Sequence, residues 1–282
     1  MQAGFIGLGN LGGAMVARLV DVGVSLTVWN RTAERARQTG LSVAASPAAL
    51  ISQAPAVLLC LADSDAVEVV LRGQQGLLAG ACTGKLIIDL TTNHPAPVRL
   101  FHELCRQKGA RYVEAPVAGS VVPARAGKLV AMLSGAPADL AAARPYVDHL
   151  AAVVHELGAA GQATRMKLVN NLCLGTIMAV VAEALATAEA AGISREQALE
   201  VLGTGGGKSL VLDAKRQKLL DADWSPHFSV GMIAKDLHCL QDLARELERP
   251  QHLAGVVKEQ YMRLVKDGRA DDDFAAVYDV FR

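Results

Sequence analysis

Short apolar runs alternate with helical patterns over the first half of the chain. Residues 3–7, 25–29, 56–61, 85–90 and 111–115 read as strands. The runs AVLLCL at 56–61 and KLIIDL at 85–90 are continuous rather than alternating, as in strands covered on both faces. Between them the apolar spacing predicts helices at 12–22, 33–39 and 98–108. Strands alternating with helices imply a parallel sheet with right-handed crossovers. A strand at 127–133, a helix at 138–146 and a strand at 153–156 are predicted to close this domain.

The pattern changes after Gly161. Residues 163–191 form one long helical pattern, ended by Gly192 and apolar around most of its circumference, so burial on several sides is expected. Its longest apolar run, Leu172 to Ala182, stops at Glu183 and falls short of the roughly 18–20 residues that span a bilayer. Ser194, followed by Glu196 and Gln197, opens the next helix as a capping box. Helical patterns continue at 210–220, 230–247, 253–266 and 273–281, with no predicted strand. The fold class is therefore α/β: an N-terminal Rossmann-type doubly wound sheet, a long connecting helix and an all-α C-terminal domain. The domains are expected at 1–161 and 162–282.

Composition narrows the picture. Hydrophobic residues make up 51% of the chain and charged residues 20%, which suits a packed core. Aromatics are only 4%, so that core is mainly Ala, Val and Leu. Lys and Arg number 28, Asp and Glu 28, giving a net charge of +0. No basic excess exists to neutralise phosphates, so no nucleic-acid partner is expected. The mean hydropathy of +0.27 raises the membrane question, which the short apolar run answers against a membrane partner. The first residues enter a strand at once without a basic segment, so no signal peptide is expected. Five cysteines, with no CxxC pair, predict free thiols in a reducing cytoplasmic compartment. The histidines lack close metal-ligand spacing, so no metal is expected.

Gly7-Leu8-Gly9-Asn10-Leu11-Gly12 fits G-x-G-x-x-G, after a strand and at the opening of a helix. Gly7 permits the tight turn, Gly9 lets backbone N–H groups approach a pyrophosphate, and Gly12 lets the helix pack on the sheet. The bland alternative is a structural strand-to-helix turn. After the second strand stands Asn30-Arg31-Thr32, where NAD sites carry an acidic residue for the ribose hydroxyl. An arginine pairs with a 2′-phosphate and Thr32 donates to it, which favours NADP(H); the alternative is a solvated arginine. Thr92, in Asp89-Leu90-Thr91-Thr92 at the end of the fourth predicted strand, either meets the cofactor or substrate or caps the helix before Pro95 and Pro97. Ala118-Gly119-Ser120, in EAPVAGS, offers backbone N–H groups to an anion such as a carboxylate, or is an ordinary loop.

Lys167 and Asn171 lie four apart and share one face of the long helix, with Asn170 beside them. A lysine buried in an interdomain cleft would have a lowered pKa and serve as an acid near neutral pH. The alternative is a lysine that snorkels to water. Gly203 to Ser209 imitates a P-loop, but Leu202 stands where its first glycine belongs, so a helix–helix loop is expected.

These motifs together resemble the β-hydroxyacid dehydrogenase family along the whole chain. The resemblance rests on GFIGLGNLGGAM at 4–15, VWNRT at 28–32, DLTT at 89–92, EAPVAGS at 114–120, GQATRMKLVNN at 161–171 and KDL at 235–237. Its flavour is that of the glyoxylate/succinic semialdehyde reductase branch. The resemblance implies that Lys167 is the catalytic acid and that Asn171 orients it. It implies that Leu61, Ala62, Thr92 and Lys235 contact the cofactor and that Phe228 and Asp236 help close the site. The family's substrate-binding serine falls at Ala118, a departure that leaves the Gly119 and Ser120 N–H groups and the Ser120 hydroxyl to compensate. The expected activity is reversible NADPH-dependent reduction of a small aldehyde or keto acid by a homodimer or homotetramer. The alternatives are another carbonyl or an imine as substrate, and a non-catalytic NADP-binding protein.

Overall fold

The computed structural model describes all residues, Met1–Arg282, and divides into two compact units, Met1–Lys167 and Leu168–Arg282. The strands of the first unit are β1 (Gln2–Ile6), β2 (Ser25–Trp29), β3 (Ser42–Val43), β4 (Ala56–Leu59), β5 (Leu86–Asp89), β6 (Arg111–Glu114), β7 (Val117–Ala118), β8 (Leu129–Leu133) and β9 (Ala151–Glu156). Its helices are α1 (Asn10–Asp21), α2 (Ala33–Arg37), α3 (Pro47–Gln53), α4 (Ser64–Arg72), α5 (Pro95–Gln107), α6 (Val121–Arg125) and α7 (Pro137–Val147).

Strands β1 to β6 form one parallel sheet in the order β3-β2-β1-β4-β5-β6. The order reverses between β1 and β4, the switch point at which doubly wound sheets bind ligands beyond their carboxyl ends. Alternate side chains enter opposite cores. Phe5, Leu58, Ile88 and Val113 join Met15 and Leu19 of α1 on one face. Ile6, Leu59, Ile87 and Tyr112 join Leu50, Leu71 and Phe101 of α3, α4 and α5 on the other. Two-sided burial is why these strands read as unbroken apolar runs.

The two strands expected to close the domain, β8 and β9, join the unexpected β7 in a separate three-stranded sheet, β7-β8-β9, with β7 antiparallel and β9 parallel to β8. Its Leu129, Ala131 and Leu133 pack into the α1 face of the main core. Five of these elements escaped the sequence pattern: β3, α3, α4, β7 and α6. β3 has only two residues, both exposed, so no apolar periodicity marks it. α3 and α4 announce themselves through caps instead, Ser46 accepting from Ala49 N and Asp63 from Ala66 N.

Helix α8 (Gln162–Ala190) begins in the first unit and continues into the second. It has 29 residues, and its most apolar window has mean hydropathy 1.7, so by length and composition the helix is sufficient to cross a bilayer. The short run at 172–182 understated it. Here Leu168, Met178, Ala182 and Leu185 sit in the apolar centre of the second unit. That unit adds α9 (Arg195–Thr204), α10 (Leu210–Asp221), α11 (Val230–Glu246) and α12 (His252–Lys266). Ser194 and Gln197 form the expected capping box. The last expected helix is instead a 3-10 segment, Phe274–Val280. Phe274 through Tyr278 are all buried, so no polar face selects the α-helical period. Asp273 pins it by capping Ala275 N and accepting from Lys215 Nζ at 2.8 Å.

The β1–α1 turn tolerates no side chain at two points. A Cβ on Gly7, whose φ is +100°, would lie 2.1 Å from Cys60 O, and one on Gly12 would lie 2.0 Å from Gly7 O. Both obstacles are backbone, so Gly12→Ala must push α1 away from the sheet. Gly9→Ala meets nothing within 4 Å. Thermal melts should therefore show Gly12→Ala lowered by several degrees, with a cost of about 2 kcal/mol. Gly9→Ala should melt like the parent; equal losses in both variants would contradict the steric account.

Candidate active site

The dinucleotide end of the first unit is built by what its residues leave unoccupied. α1 starts at Gly9 with no side-chain cap and no acidic residue in its first turn. A glycine N-cap offers its leading N–H groups no side-chain acceptor, and a Cβ on Gly9 would meet nothing within 4 Å. Asn30 Oδ1 accepts from Leu8 N at 2.9 Å, and Asn30 Nδ2 donates to Thr32 O at 3.0 Å. This residue joins the glycine turn to the end of β2, which is why a side-chain amide stands there. Arg31 and Thr32 are exposed, and Thr32 begins α2 without using its hydroxyl as a cap. Exposed Arg35 follows on α2, a second cation that the motif reading passed over. A helix N-terminus with no side-chain cap, a glycine facing open space and cations at the end of β2 fit an NADP(H) pyrophosphate and 2′-phosphate.

The carboxyl end of β5 is organised by Asp89. This buried carboxylate accepts from Thr91 N at 2.9 Å, Asn93 Nδ2 at 2.7 Å and Tyr112 Oη at 2.5 Å. Burial raises its pKa, against the hydrogen bonds from Thr91, Tyr112 and Asn93 that lower it. The same network continues outward. Thr91 Oγ1 accepts from Leu61 N at 3.1 Å, and Ser64 Oγ donates to Asn93 Oδ1 at 3.1 Å. Leu61, Ala62 and Thr92 thus stand on two loops tied together at their roots. The helix after Thr92 is capped by His94, whose Nδ1 accepts from Ala96 N, so Thr92 is not that cap.

Ala118 ends β7, opposite Val130 of β8, and Gly119 and Ser120 lead into α6. Ser120 stands at the N-cap of α6 but its hydroxyl makes no capping bond. That hydroxyl is therefore not committed to holding the helix.

Lys167 is only 6% exposed, which excludes the snorkelling alternative. The start of its helix is clamped from the sheet. Glu114, the last residue of β6, accepts from Gly161 N at 2.5 Å and Thr164 N at 3.2 Å, and from Thr164 Oγ1 at 2.6 Å. His102 Nε2 lies 3.0 Å from Glu114 Oε1. Burial works to raise the Glu114 pKa, but the bonds from His102, Thr164 and Gly161 outweigh it and hold the carboxyl below its usual range. The strand reading gave Glu114 no role, and its only sequence signal was an acidic residue closing an apolar strand.

In the second unit, Asn171 is fully buried and its Nδ2 donates to Asp236 Oδ2 at 2.5 Å. Asn171 Oδ1 accepts from Asn170 Nδ2 at 3.1 Å. Lys235 Nζ lies 3.0 Å from Asp236 Oδ1, an ion pair. Phe228 packs edge-on against Phe274, with ring centroids 5.8 Å apart. The structure thus brings Asn171, Lys235 and Asp236 together and places Phe228 in an aromatic pair before α11. The P-loop imitation is the connection from α9 to α10, with Ser209 capping Leu212 N.

Residues 2–161 match the family model of the NAD binding domain of 6-phosphogluconate dehydrogenase. Residues 161–281 match that of the NAD-binding domain of NADP-dependent 3-hydroxyisobutyrate dehydrogenase. The class so defined is that of NAD(P)-binding dehydrogenase domains, with NADP(H) as the cofactor. The chain belongs to the β-hydroxyacid dehydrogenase family. It is 30% identical to glyoxylate/succinic semialdehyde reductase 1 of Arabidopsis thaliana, covering 100% of this chain and 99% of that protein. It is 32% identical to the cytokine-like nuclear factor N-PAC of Xenopus tropicalis over 98% of this chain. There it covers 52% of the relative, so the chain spans about half the length of that protein. Among solved structures, 3-hydroxyisobutyrate dehydrogenase of Mycobacterium tuberculosis with L-serine superposes with a TM-score of 0.86. The identity is 28%, covering 100% of this chain and 99% of that one.

Glu114 yields a pH prediction with a definite sign. Its folded pKa lies below the ordinary 4.5, so its ionised form stabilises the fold above that pH and the contribution is lost as pH falls through the folded value. Glu114→Gln should cost about 1–3 kcal/mol at pH 7. The gap in melting temperature between parent and variant should narrow on acidification below 4.5. A gap that stays constant down to acid unfolding would contradict the charged clamp.

Proposed function

We propose that this protein is an NADPH-dependent reductase of small aldehyde or keto acids, of the glyoxylate or succinic semialdehyde type, reversible toward the hydroxyacid. The observation that carries the reading is Lys167, a lysine on α8 that is only 6% exposed. Bound NADPH supplies a hydride to the carbonyl carbon. Lys167 Nζ gives a proton to the carbonyl oxygen as negative charge develops there, and the resulting amine regains its proton from solvent. General-acid transfer of this kind contributes about 10²–10⁴ in rate. Asn171, one helical turn on, orients the acid and the substrate, and Asp236 holds the Asn171 amide in place.

The remaining residues bind. The α1 N-terminus, from Gly7 through Gly12, receives the pyrophosphate, while Asn30 shapes the turn. Arg31 and Thr32 take the 2′-phosphate. Leu61, Ala62, Thr92 and Lys235 contact the cofactor. The N–H groups of Gly119 and Ser120, with the Ser120 hydroxyl, hold the substrate carboxylate beside Ala118. Phe228 closes the site with an apolar wall. Exposed Met166, Val169 and Val180 on α8, with Val201 and Leu210, suit association into a homodimer or homotetramer. The five unpaired cysteines suit the cytosol.

A second reading follows from Ala118, which lacks the hydroxyl expected for a carboxylate-bearing substrate. Reduction of a different carbonyl or an imine fits that loss. NADPH oxidation against glyoxylate, succinic semialdehyde, other carbonyl acids and cyclic imines separates the two. We expect turnover of a carbonyl acid, and Lys167→Ala should lower kcat by about 10²–10⁴. Turnover of imines alone, or an unchanged rate without Lys167, would overturn the mechanism. Arg31→Ala should raise KM for NADPH about 10–100-fold, the worth of a charge-assisted bond, while KM for NADH hardly moves. An equal change for both cofactors would place the 2′-phosphate elsewhere.

A further inference from the structure

We propose that Glu114 is a positioning residue for Lys167, acting from the sheet through the first turn of α8. The proposal rests on the reading of Lys167 as the acid. Most helices are capped by a residue just before their first turn. The start of α8 is held instead by two side chains distant in sequence. Glu114 takes the N–H groups of Gly161 and Thr164 and the Thr164 hydroxyl, and Ser134 Oγ takes Ala163 N at 3.1 Å.

The two anchors are themselves fixed. Glu114 and Ser134 exchange backbone hydrogen bonds, Glu114 N to Ser134 O at 3.1 Å and Ser134 N to Glu114 O at 3.0 Å. Glu114 is also the register partner of Asp89 on β5. His102 on α5 closes the remaining side of the carboxylate and stacks edge-on against Tyr112 at 4.8 Å. The carboxylate is 1% exposed, so solvent does not loosen the clamp.

Lys167 follows Thr164 by three residues and Ala163 by four, so it lies on the helix face directly above the clamped turn. Long helical side chains lean back toward the N-terminus, which carries the Lys167 stem over that turn. A shift of α8 along its axis would move the ammonium relative to the sheet, and misplacement by about 1 Å costs up to 10²-fold in rate. The carboxylate also places a fixed negative charge at the positive end of the helix. Glu114 touches neither the reacting atoms nor the cofactor; it determines where the acid stands.

A double-mutant cycle tests this on the full chain, with NADPH and the carbonyl acid that the parent turns over. Glu114→Gln should lower kcat about tenfold and leave both KM values within about twofold. In a Lys167→Ala background the same substitution should have no further effect on kcat, because the group it positions is gone. Equal losses of kcat in both backgrounds, or none in the parent, would overturn the proposal. Should Glu114→Gln not fold, Thr164 gives a second route: Thr164→Val should lower kcat and Thr164→Ser should restore it. Equal rates for those two variants would likewise overturn it. Full activity of Lys167→Ala alone is a different result, since it refutes the acid reading rather than the clamp.

Discussion

Two carboxylates, Asp89 and Glu114, lie side by side at the carboxyl ends of β5 and β6 and are both almost fully buried. A buried carboxylate is costly unless donors surround it, so each must gather the chain about itself. Asp89 gathers Thr91, Asn93 and Tyr112 and so fixes the β5 loop that carries Thr92. Glu114 gathers Gly161, Thr164 and His102 and so fixes the start of the helix that carries Lys167. Their titration differs in a way that geometry explains. Burial prevails at Asp89 and raises its pKa, whereas the donors prevail at Glu114 and lower it. Burial, followed by the neighbouring Asp89, also pushes the Cys60 thiol up to about 12, so this cysteine is inert near neutral pH.

The chain announces its parallel sheet because both faces of that sheet are covered. AVLLCL and KLIIDL needed only length and flanking residues to be read as strands. The glycine turn was legible because sterics at Gly7 and Gly12 leave no other residue. What stayed hidden was either too short to carry a period or held by distant partners. β3 shows two exposed residues, and α6 has one turn with a single buried alanine. The strands at 127–156 were legible as closing the domain, but a strand pattern does not say which sheet it joins. Glu114 was legible only as a letter in a motif, since its partners lie 47 and 50 residues away.

The candidate chemistry shows the same division. Lys167 and Asn171 stand out in sequence because polar residues are rare on α8. Their burial, and the tie from Asn171 to Asp236 across 65 residues, required the structure. Asp236, expected to help close the site, also accepts from the Asn171 amide. The substrate is the least legible feature. A fold shared across a family does not choose among substrates.

The central claim is that reducing equivalents pass from NADPH to the carbonyl carbon of a small acid. Transfer of label tests it directly. NADPH carrying deuterium at nicotinamide C4 would be incubated with the protein and succinic semialdehyde or glyoxylate, and the product examined by mass spectrometry and NMR. The account predicts one deuterium on the new carbinol carbon for each NADPH consumed. Oxidation of the cofactor with no deuterium on that carbon would contradict it.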